Sequence, residues 1–223
     1  ATASNGKSTI LSLIRLILPQ SATCSIPPSD FEREQSLATL VGKTANLTDE
    51  ISNHKFIASD KMKSLITGDI VAAKVIYQPV FNFKPIATHI FATNELPNFK
   101  GGVDAGVERR MLVIPFNKTI PEEKRITNLE ELIVDKESSL LVSVAISIGA
   151  KAYQRGTFNI PVSCKNATEQ WFKDSDPVRE WYAEGEIGRH VDHKPKLLKE
   201  LYKNFCDDIR EFEDASYLPG KRR

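Results

Sequence analysis

The sequence predicts an α/β fold in which a mostly parallel sheet lies between helices. Two observations carry this prediction. A helical pattern of apolar residues directly follows a Gly-Lys-Ser sequence, and β-branched apolar runs follow further along the chain, among helical patterns. Strands of a parallel sheet are continuous apolar runs of this kind, because helices cover both faces of the sheet.

The composition is that of an ordinary globular protein. Of 223 residues, 41% are hydrophobic and 26% are charged, which excludes a disordered or fibrous chain. The net charge is only +1, so any contact with DNA must come from a local patch. Three widely spaced cysteines argue against a disulfide framework or a zinc site, and no apolar run is long enough to span a bilayer. We therefore expect a reduced, cytoplasmic protein without a membrane segment.

The first half of the chain contains the predicted helices and hairpin that frame the motifs. Helices are predicted over residues 8–18 and 55–66, with a short extended run at residues 45–48 between them. Two β-rich runs at residues 70–77 and 80–83 flank a Gln-Pro turn and predict a β-hairpin.

Further apolar runs predict two strands and one helix. Residues 86–92 and 111–116 are expected to be strands, the first of them buried on both faces. Helical periodicity covers residues 138–154, with a serine cap at its start and Gly156 after its end.

The residue pattern changes near residue 158, which predicts two domains, at residues 1–157 and 158–223. The second piece is short and helical in pattern. Trp171 and Trp181 are expected to fill its core rather than to stack on nucleic acid bases.

The residues before the first helix fit a phosphate-binding loop. Gly6, Lys7 and Ser8 match the end of the pattern G-x-x-x-x-G-K-[S/T], with Ala1 at the position of the first glycine. In such a loop the helix N-terminus holds phosphates, the lysine reaches the β and γ oxygens, and the serine hydroxyl is a ligand of Mg²⁺. A Gly-Lys-Ser sequence also arises by chance, and the apolar helix behind it favours the loop. The predicted ATP-binding residues are Ser4, Asn5, Gly6, Lys7, Ser8 and Thr9.

Polar groups at the ends of other predicted strands complete a set for ATP hydrolysis. Asp49 and Glu50 follow the run at 45–48, where carboxylates can hold Mg²⁺ and polarise water, and Asn94 can orient that water. Arg109 and Arg110 precede a strand and could neutralise charge on a neighbouring subunit's nucleotide. Taken singly, an Asp-Glu pair is more often a solvated surface pair and such an asparagine is more often a turn or helix cap, and the arginines could be a solvated basic pair. It is the order of these residues along the chain that favours catalysis.

This order of motifs resembles the helicase domain of phage and plasmid primase-helicases, a family of superfamily 3 that is related to the poxvirus primase-helicase. More distantly, it is similar to the replication helicases of polyomaviruses and papillomaviruses. The resemblance covers residues 1 to about 120, and its motifs are SNGKST at 4–9, LITGD at 65–69, FATNELP at 91–97, and Arg109-Arg110 with Ile114-Pro115-Phe116.

The resemblance implies an AAA+-like P-loop NTPase with a three-layer sandwich. Such proteins form hexameric rings, hydrolyse ATP with Mg²⁺ between subunits, and translocate on single-stranded or forked DNA during replication. Carried onto this chain, Lys7 and Ser8 belong to the first motif, Asp49 and Glu50 to the second, and Asn94 is the sensor. Ser8 and Asp49 would be the residues that hold Mg²⁺.

The resemblance also implies roles for the arginine pair and the hairpin. Arg110 would be the arginine supplied in trans, with Arg109 as the second candidate. The hairpin would hold DNA, where Lys74 and Lys84 can meet phosphate and Tyr77 can stack on a base. A plain hairpin whose lysines are only solvated is the alternative.

The chain departs from the family at its start. Alanine stands at positions 1 and 3, where such loops carry glycine, and no strand precedes the phosphate loop. We therefore expect a fragment that lacks its first strand, from a protein with an upstream primase module. Residues after about 160 resemble a partial winged-helix domain, and a helical cap that serves ring assembly is the alternative.

Two other functions stay open from the sequence. An inactive prophage remnant could serve as a DNA-binding or assembly module, and a P-loop kinase could phosphorylate a small molecule. The hairpin and Asn94 argue against the kinase.

Overall fold

The protein is described by a computed structural model over residues 4–49, 51, 57–100 and 104–175, together with residues 203, 206 and 207. This part of the chain is a mixed α/β fold with a small parallel sheet, which confirms the predicted fold class at that level. The helices are α1 (Lys7–Ile17), α2 (Glu34–Ala38), α3 (Ser59–Thr67), α4 (Ala105–Glu108), α5 (Leu129–Arg155) and α6 (Val162–Asp174). The strands are β1 (Thr23–Cys24), β2 (Ala45–Thr48), β3 (Ile57–Ala58), β4 (Val71–Ala73), β5 (Phe81–Phe83), β6 (Thr88–Phe91) and β7 (Phe99–Lys100).

The main sheet has the strand order β1-β2-β6, and both pairings are parallel. In its register Ala45 lies opposite Thr88 and Thr48 lies opposite Phe91. All four residues of β2 are buried, as expected for a central strand. The carboxyl ends of β2 and β6 therefore lie side by side at one edge of the sheet, which is where open α/β sheets bind their ligands.

Two smaller strand pairs lie outside this sheet. β3 pairs with β7 in parallel, and β4 pairs with β5 in antiparallel register. The second pair confirms the predicted hairpin, although its strands are shorter than the apolar runs and residues 74–80 form an exposed loop.

Two buried clusters hold the fold together. A small one joins α1 to the sheet through Leu11, Ala45, Leu47 and Ala92. The larger one lies around Phe31 and includes Trp171 of α6, whose indole Nε1 donates a hydrogen bond to the carbonyl of Pro97 (3.1 Å).

Helix α6 thus packs on residues that precede position 158. The buried position of Trp171 agrees with its predicted core role, although the core it joins is built largely by residues of the first half of the chain. Trp181 and most of the predicted second domain lie outside the described residues, so the division at residues 157 and 158 stays a prediction.

The predicted strand over residues 111–116 is wrong. These residues are in no strand in the described part of the chain, and two of their backbone groups bond to side chains. The N–H of Val113 donates to the Thr168 hydroxyl (2.9 Å), and the carbonyl of Phe116 accepts from the Asn5 side chain (2.8 Å).

Two other expectations need correction. Helix α5 begins at Leu129, nine residues before the predicted serine cap, because Glu130 and Glu131 in its first turn favour the positive end of a helix. Its predicted end is correct, since Gly156 adopts the left-handed conformation after the last turn. Strand β6 is only half-buried rather than buried on both faces, because β2 is its only neighbour in the described part of the sheet.

Within the described residues, none of the helices combines the length and the apolar character that crossing a membrane requires.

Candidate functional site

The candidate site begins at the N-terminus of α1. Gly6 precedes the helix with φ of 86°, a left-handed conformation in which a side chain would be strained. Within the described part of the chain, no side chain caps the first turn of α1, and the turn contains no acidic residue. The backbone N–H groups there are therefore available to an anion, which the helix dipole also favours.

Lys7 and Asn94 meet in this site, although 87 residues separate them in the chain. The ammonium Nζ of Lys7 donates to Asn94 Oδ1 (3.0 Å) and to Asn5 Oδ1 (3.1 Å). Asn5 is itself held from the other side, because its Nδ2 donates to the carbonyl of Phe116 (2.8 Å). The structure thus brings together two of the predicted catalytic residues and fixes the lysine between two amide oxygens.

Asn94 is placed by the exit of β6. The N–H of Ala92 donates to the carbonyl of Thr48 (2.9 Å), and the N–H of Ile51 donates back to the carbonyl of Ala92 (3.3 Å). The hydroxyl of Thr93 reaches the carbonyl of Ile51 (3.3 Å) and accepts from the N–H of Glu95 (3.2 Å). The segments that follow β2 and β6 are therefore tied together directly beside the phosphate loop.

A cleft of about 250 Å³ lies between these segments. Its volume is close to the lower end of the roughly 300–1,000 Å³ found for small-molecule sites, which suits the phosphate chain of a nucleotide better than a whole nucleotide. It is lined by Ser4, Asn5, Gly6, Lys7, Ser8, Thr9, Ala92, Thr93 and Asn94, which include all six residues predicted to bind ATP.

Asp49 stands at the end of β2 and is half-buried. Its Oδ2 lies 3.5 Å from Nη1 of Arg15, and Nη2 of the same arginine donates to the carbonyl of Leu47 (2.9 Å). The other carboxylate oxygen, Oδ1, is buried and has no hydrogen-bond partner among the described residues. Glu50, the other half of the predicted acidic pair, lies outside the residues that the structure describes.

The donor set fits the nucleotide-bound magnesium that the sequence predicts. A buried carboxylate oxygen without a partner is costly, and oxygen is the ligand that Mg²⁺ prefers. Ser8 adds a hydroxyl at the first turn of α1, and Lys7 adds a positive charge for the phosphates. The described residues contain no cluster of three or more His, Cys, Asp or Glu side chains, and magnesium that arrives with ATP takes phosphate oxygens as further ligands.

The arginine pair lies outside the cleft, at the C-terminal end of α4. Arg110 is half-buried, and its guanidinium donates to the carbonyl of Gly106 (2.6 Å) and to the hydroxyl of Thr67 (3.1 Å). Arg109 is exposed. Neither arginine lines the cleft of its own chain.

The three predicted DNA-binding residues are all exposed and are associated with the hairpin. Lys74 and Tyr77 lie in the 74–80 loop, and Lys84 follows β5. Tyr77 is fully exposed and has a positive φ of 64°, which is uncommon for a residue with a side chain. None of the three lines the cleft, so the structure separates the predicted DNA contacts from the predicted ATP contacts.

A buried polar network lies beneath the site. Asn46 in β2 is fully buried, and its side chain bonds both the N–H and the carbonyl of Ile26 (2.7 and 2.9 Å). Its Nδ2 also lies 3.1 Å from Nδ1 of His89 in β6. His89 stacks on Phe91, and burial lowers its pKa to about 4, so the ring is neutral at physiological pH.

Arg15 and Asn46 are the site-supporting residues that the sequence patterns did not single out. A sequence signal exists for Arg15, since it is the only charged residue in the largely apolar stretch from Ser8 to Pro19. A second signal is its spacing, because residues seven apart share a helix face and Arg15 stands seven after Ser8. No comparable signal marks Asn46, which is one polar residue in a short strand.

Comparison with protein families gives a match over the N-terminal part of the chain. Residues 1–110 match a family described only as a family of unknown function, DUF5906. The matched range contains Lys7, Asp49, Asn94 and Arg110, while the family description assigns no activity to them. A comparison with curated proteins finds no match.

Proposed function

We propose that the chain is the ATP-hydrolysing domain of a DNA helicase of the phage and plasmid primase-helicase type, with an AAA+-like P-loop fold. The observation that carries this proposal is the 3.0 Å hydrogen bond between the phosphate-loop lysine, Lys7, and Asn94 at the end of β6. In phosphoryl transfer a cation and a water-positioning residue act beside the same phosphate, and Lys7 and Asn94 meet in one cleft.

The cleft residues divide the work of hydrolysis between binding and orientation. The uncapped N-terminus of α1 and Lys7 would bind the β- and γ-phosphates. Ser8 and Asp49 would hold Mg²⁺, which supplies charge neutralisation on the phosphate oxygens when it is bound. Asn94, together with Glu50, would orient the attacking water in line with the bond that breaks.

Subunit contacts and DNA complete the proposed activity. Arg110 or Arg109 would neutralise transition-state charge on the nucleotide of a neighbouring subunit in a hexameric ring, since neither lines the cleft of its own chain. The exposed hairpin would contact single-stranded or forked DNA through Lys74, Tyr77 and Lys84. An upstream primase module in the full-length protein belongs to the same proposal.

Steady-state hydrolysis of Mg²⁺-ATP, with and without single-stranded DNA, tests this function. We expect activity that DNA stimulates and that rises steeply with protein concentration, because shared sites form only in the ring. Lys7→Ala should lower the rate at least about 100-fold, as expected when a transition-state cation is lost. Lys118→Ala is the matched control, since Lys118 is an exposed lysine outside the cleft, and it should leave the rate unchanged.

Three results would contradict the proposal in different ways. Saturable ATP binding without turnover would favour the inactive remnant. Transfer of phosphate to a small acceptor by a monomer would favour the kinase. Equal rates for the wild type and Lys7→Ala would show that the cleft is not the site of hydrolysis.

A further inference from the structure

We propose that Arg15 is a positioning residue, which orients Asp49 and thereby sets the affinity of the site for the magnesium that accompanies ATP. This inference rests on the proposed function, because it concerns the carboxylate to which that function assigns the magnesium ion. Arg15 itself would touch neither the nucleotide nor the metal.

The guanidinium of Arg15 bridges α1 to the end of β2. Its Nη2 donates to the carbonyl of Leu47 (2.9 Å), and its Nη1 lies 3.5 Å from Oδ2 of Asp49. Leu47 is fully buried in the central strand of the sheet, so its carbonyl is a fixed anchor. Because the guanidinium group is planar, the hydrogen bond from Nη2 also restricts the position of Nη1. The flexible ammonium group of a lysine would not be restricted in this way.

The bridge leaves one oxygen of Asp49 for another partner. Arg15 engages Oδ2, whereas the buried Oδ1 has no hydrogen-bond partner among the described residues. A carboxylate that is held on one oxygen, and whose other oxygen is buried without a partner among the described residues, has the donor atom of a metal ligand and an outer partner that orients it. Such outer partners fix the orientation of the ligand, and their removal typically weakens metal binding by about 10- to 100-fold.

The position of Arg15 along α1 agrees with this role. It lies seven residues after Ser8, on the same helix face as the serine predicted to hold the metal. Long side chains on a helix lean toward its N-terminus, which directs the guanidinium toward the phosphate-loop end of α1. Arg15 is 40% exposed, so it can be replaced without opening a cavity in the core.

The chain offers a matched control in a second ion pair. Nη1 of Arg33 lies 3.5 Å from Oδ2 of Asp30, the same atoms and distance as in the Arg15 pair. The carboxylate of Asp30 has no part in the proposed magnesium site, and Arg33 is more exposed, at 66%. Replacement of Arg33 therefore removes an equivalent charge pair without affecting the proposed metal ligand.

The experiment is a magnesium titration with calorimetric detection, in which a non-hydrolysable ATP analogue binds to wild type, Arg15→Met, Arg15→Lys and Arg33→Met. We expect the half-saturating magnesium concentration to rise about 10-fold in Arg15→Met, because the carboxylate loses its outer partner. Arg15→Lys keeps the charge but loses the fork, and we expect a smaller rise. Arg33→Met should match the wild type. In hydrolysis assays, excess magnesium should restore the Arg15→Met rate.

Other outcomes would separate this inference from the proposed function. Asp49→Asn should raise the magnesium requirement more than either Arg15 variant. That result would show that the assay responds to the loss of the carboxylate proposed to coordinate magnesium. If Asp49→Asn does so while Arg15→Met and Arg15→Lys match the wild type, the positioning role is overturned and the nucleotide site stands. A lower melting temperature in Arg15→Met without a magnesium shift would also overturn it, as a purely structural effect. Wild type that binds no nucleotide would overturn both proposals.

Discussion

The cleft and the hairpin loop differ in how their predicted functional residues are held. In the cleft, Lys7 is fixed by two amide oxygens from different segments, and the ends of β2 and β6 are bonded to each other. In the loop at 74–80, every residue is exposed, and Ile76 and Tyr77 present apolar surface to solvent.

The difference shows what holds the functional side chains in place in each region. The cleft is organised by contacts within one chain, so a change there should alter the chemistry with or without a partner. The loop has exposed side chains that few contacts restrain, so a change there should matter only when a partner such as DNA is present. Each prediction below tests one side of this contrast.

The largest effect is expected for Asn94→Ala. Loss of the amide that orients water should lower kcat about 100-fold, because a preorganised polar group in a transition state is worth that much. ATP binding should be nearly unchanged, and calorimetry combined with steady-state kinetics separates the two. Asn82→Ala, on an exposed position of the hairpin strand β5, is the control and should retain full basal activity. A rise in KM alone, with kcat intact, would place Asn94 outside the chemical step.

A pH effect tests the sheet that supports the cleft. The unfolded chain binds a proton on His89 near pH 6.5, whereas burial lowers the pKa in the folded protein to about 4. Protons therefore favour the unfolded state, and stability should fall as pH decreases from 6.5 to 4. The full shift corresponds to about 3 kcal/mol.

Urea unfolding of wild type and His89→Gln at several pH values measures this contribution. The glutamine variant has no ring to protonate, so its stability should change less over the same pH range. Parallel curves for the two proteins would show that His89 does not account for the pH dependence.

Gly6→Ala should separate the cost of backbone strain to protein stability from the effect of this glycine on ATP binding. Gly6 and Gly42 both have left-handed backbone, at φ of 86° and 71°, and an added Cβ meets no atom within 4 Å at either position. Alanine should therefore destabilise the protein by about 1–2 kcal/mol at both positions, through strain alone. Only Gly6→Ala should also weaken ATP binding, by roughly 10-fold, because only Gly6 shapes the phosphate loop. Equal ATP affinity in the two variants would argue against phosphate binding at this turn.

The smallest effect is expected at the hairpin. Tyr77→Ala should weaken binding of single-stranded DNA by roughly 5- to 10-fold, the loss expected for one stacking contact. Basal ATP hydrolysis and the melting temperature should not fall, because Tyr77 is fully exposed. Tyr153→Ala on α5 is the matched control, since Tyr153 is 89% exposed in a different element, and fluorescence anisotropy should show wild-type DNA affinity. The same loss in both variants would indicate non-specific contact.

The sequence predicts the meeting of Lys7 and Asn94 for a physical reason. Parallel strands end at one edge of a sheet, so polar residues that follow such strands and the loop before a helix converge there. The mixed α/β class, α1, the hairpin and the left-handed end of α5 at Gly156 follow from equally local signals.

The remainder depends on contacts that no local pattern encodes. The apolar run at 111–116 has the composition of a strand, but a strand also needs a partner, and Thr168 and Asn5 bond this backbone instead. The early start of α5 is an exception, because Leu129, Leu132 and Ile133 have helical spacing that the prediction did not use. The pairing of Arg15 with Asp49 joins two elements 34 residues apart, and only the packing of α1 on the sheet determines it.

The most direct test of the account is calorimetric titration of Mg²⁺-ATP into the wild type and Lys7→Ala. We predict saturable binding at one site per chain in the wild type, and affinity at least about 10-fold weaker in Lys7→Ala, which is about 1.4 kcal/mol. Absence of saturable binding, or equal affinity in both proteins, would contradict the assignment of the cleft as a nucleotide site.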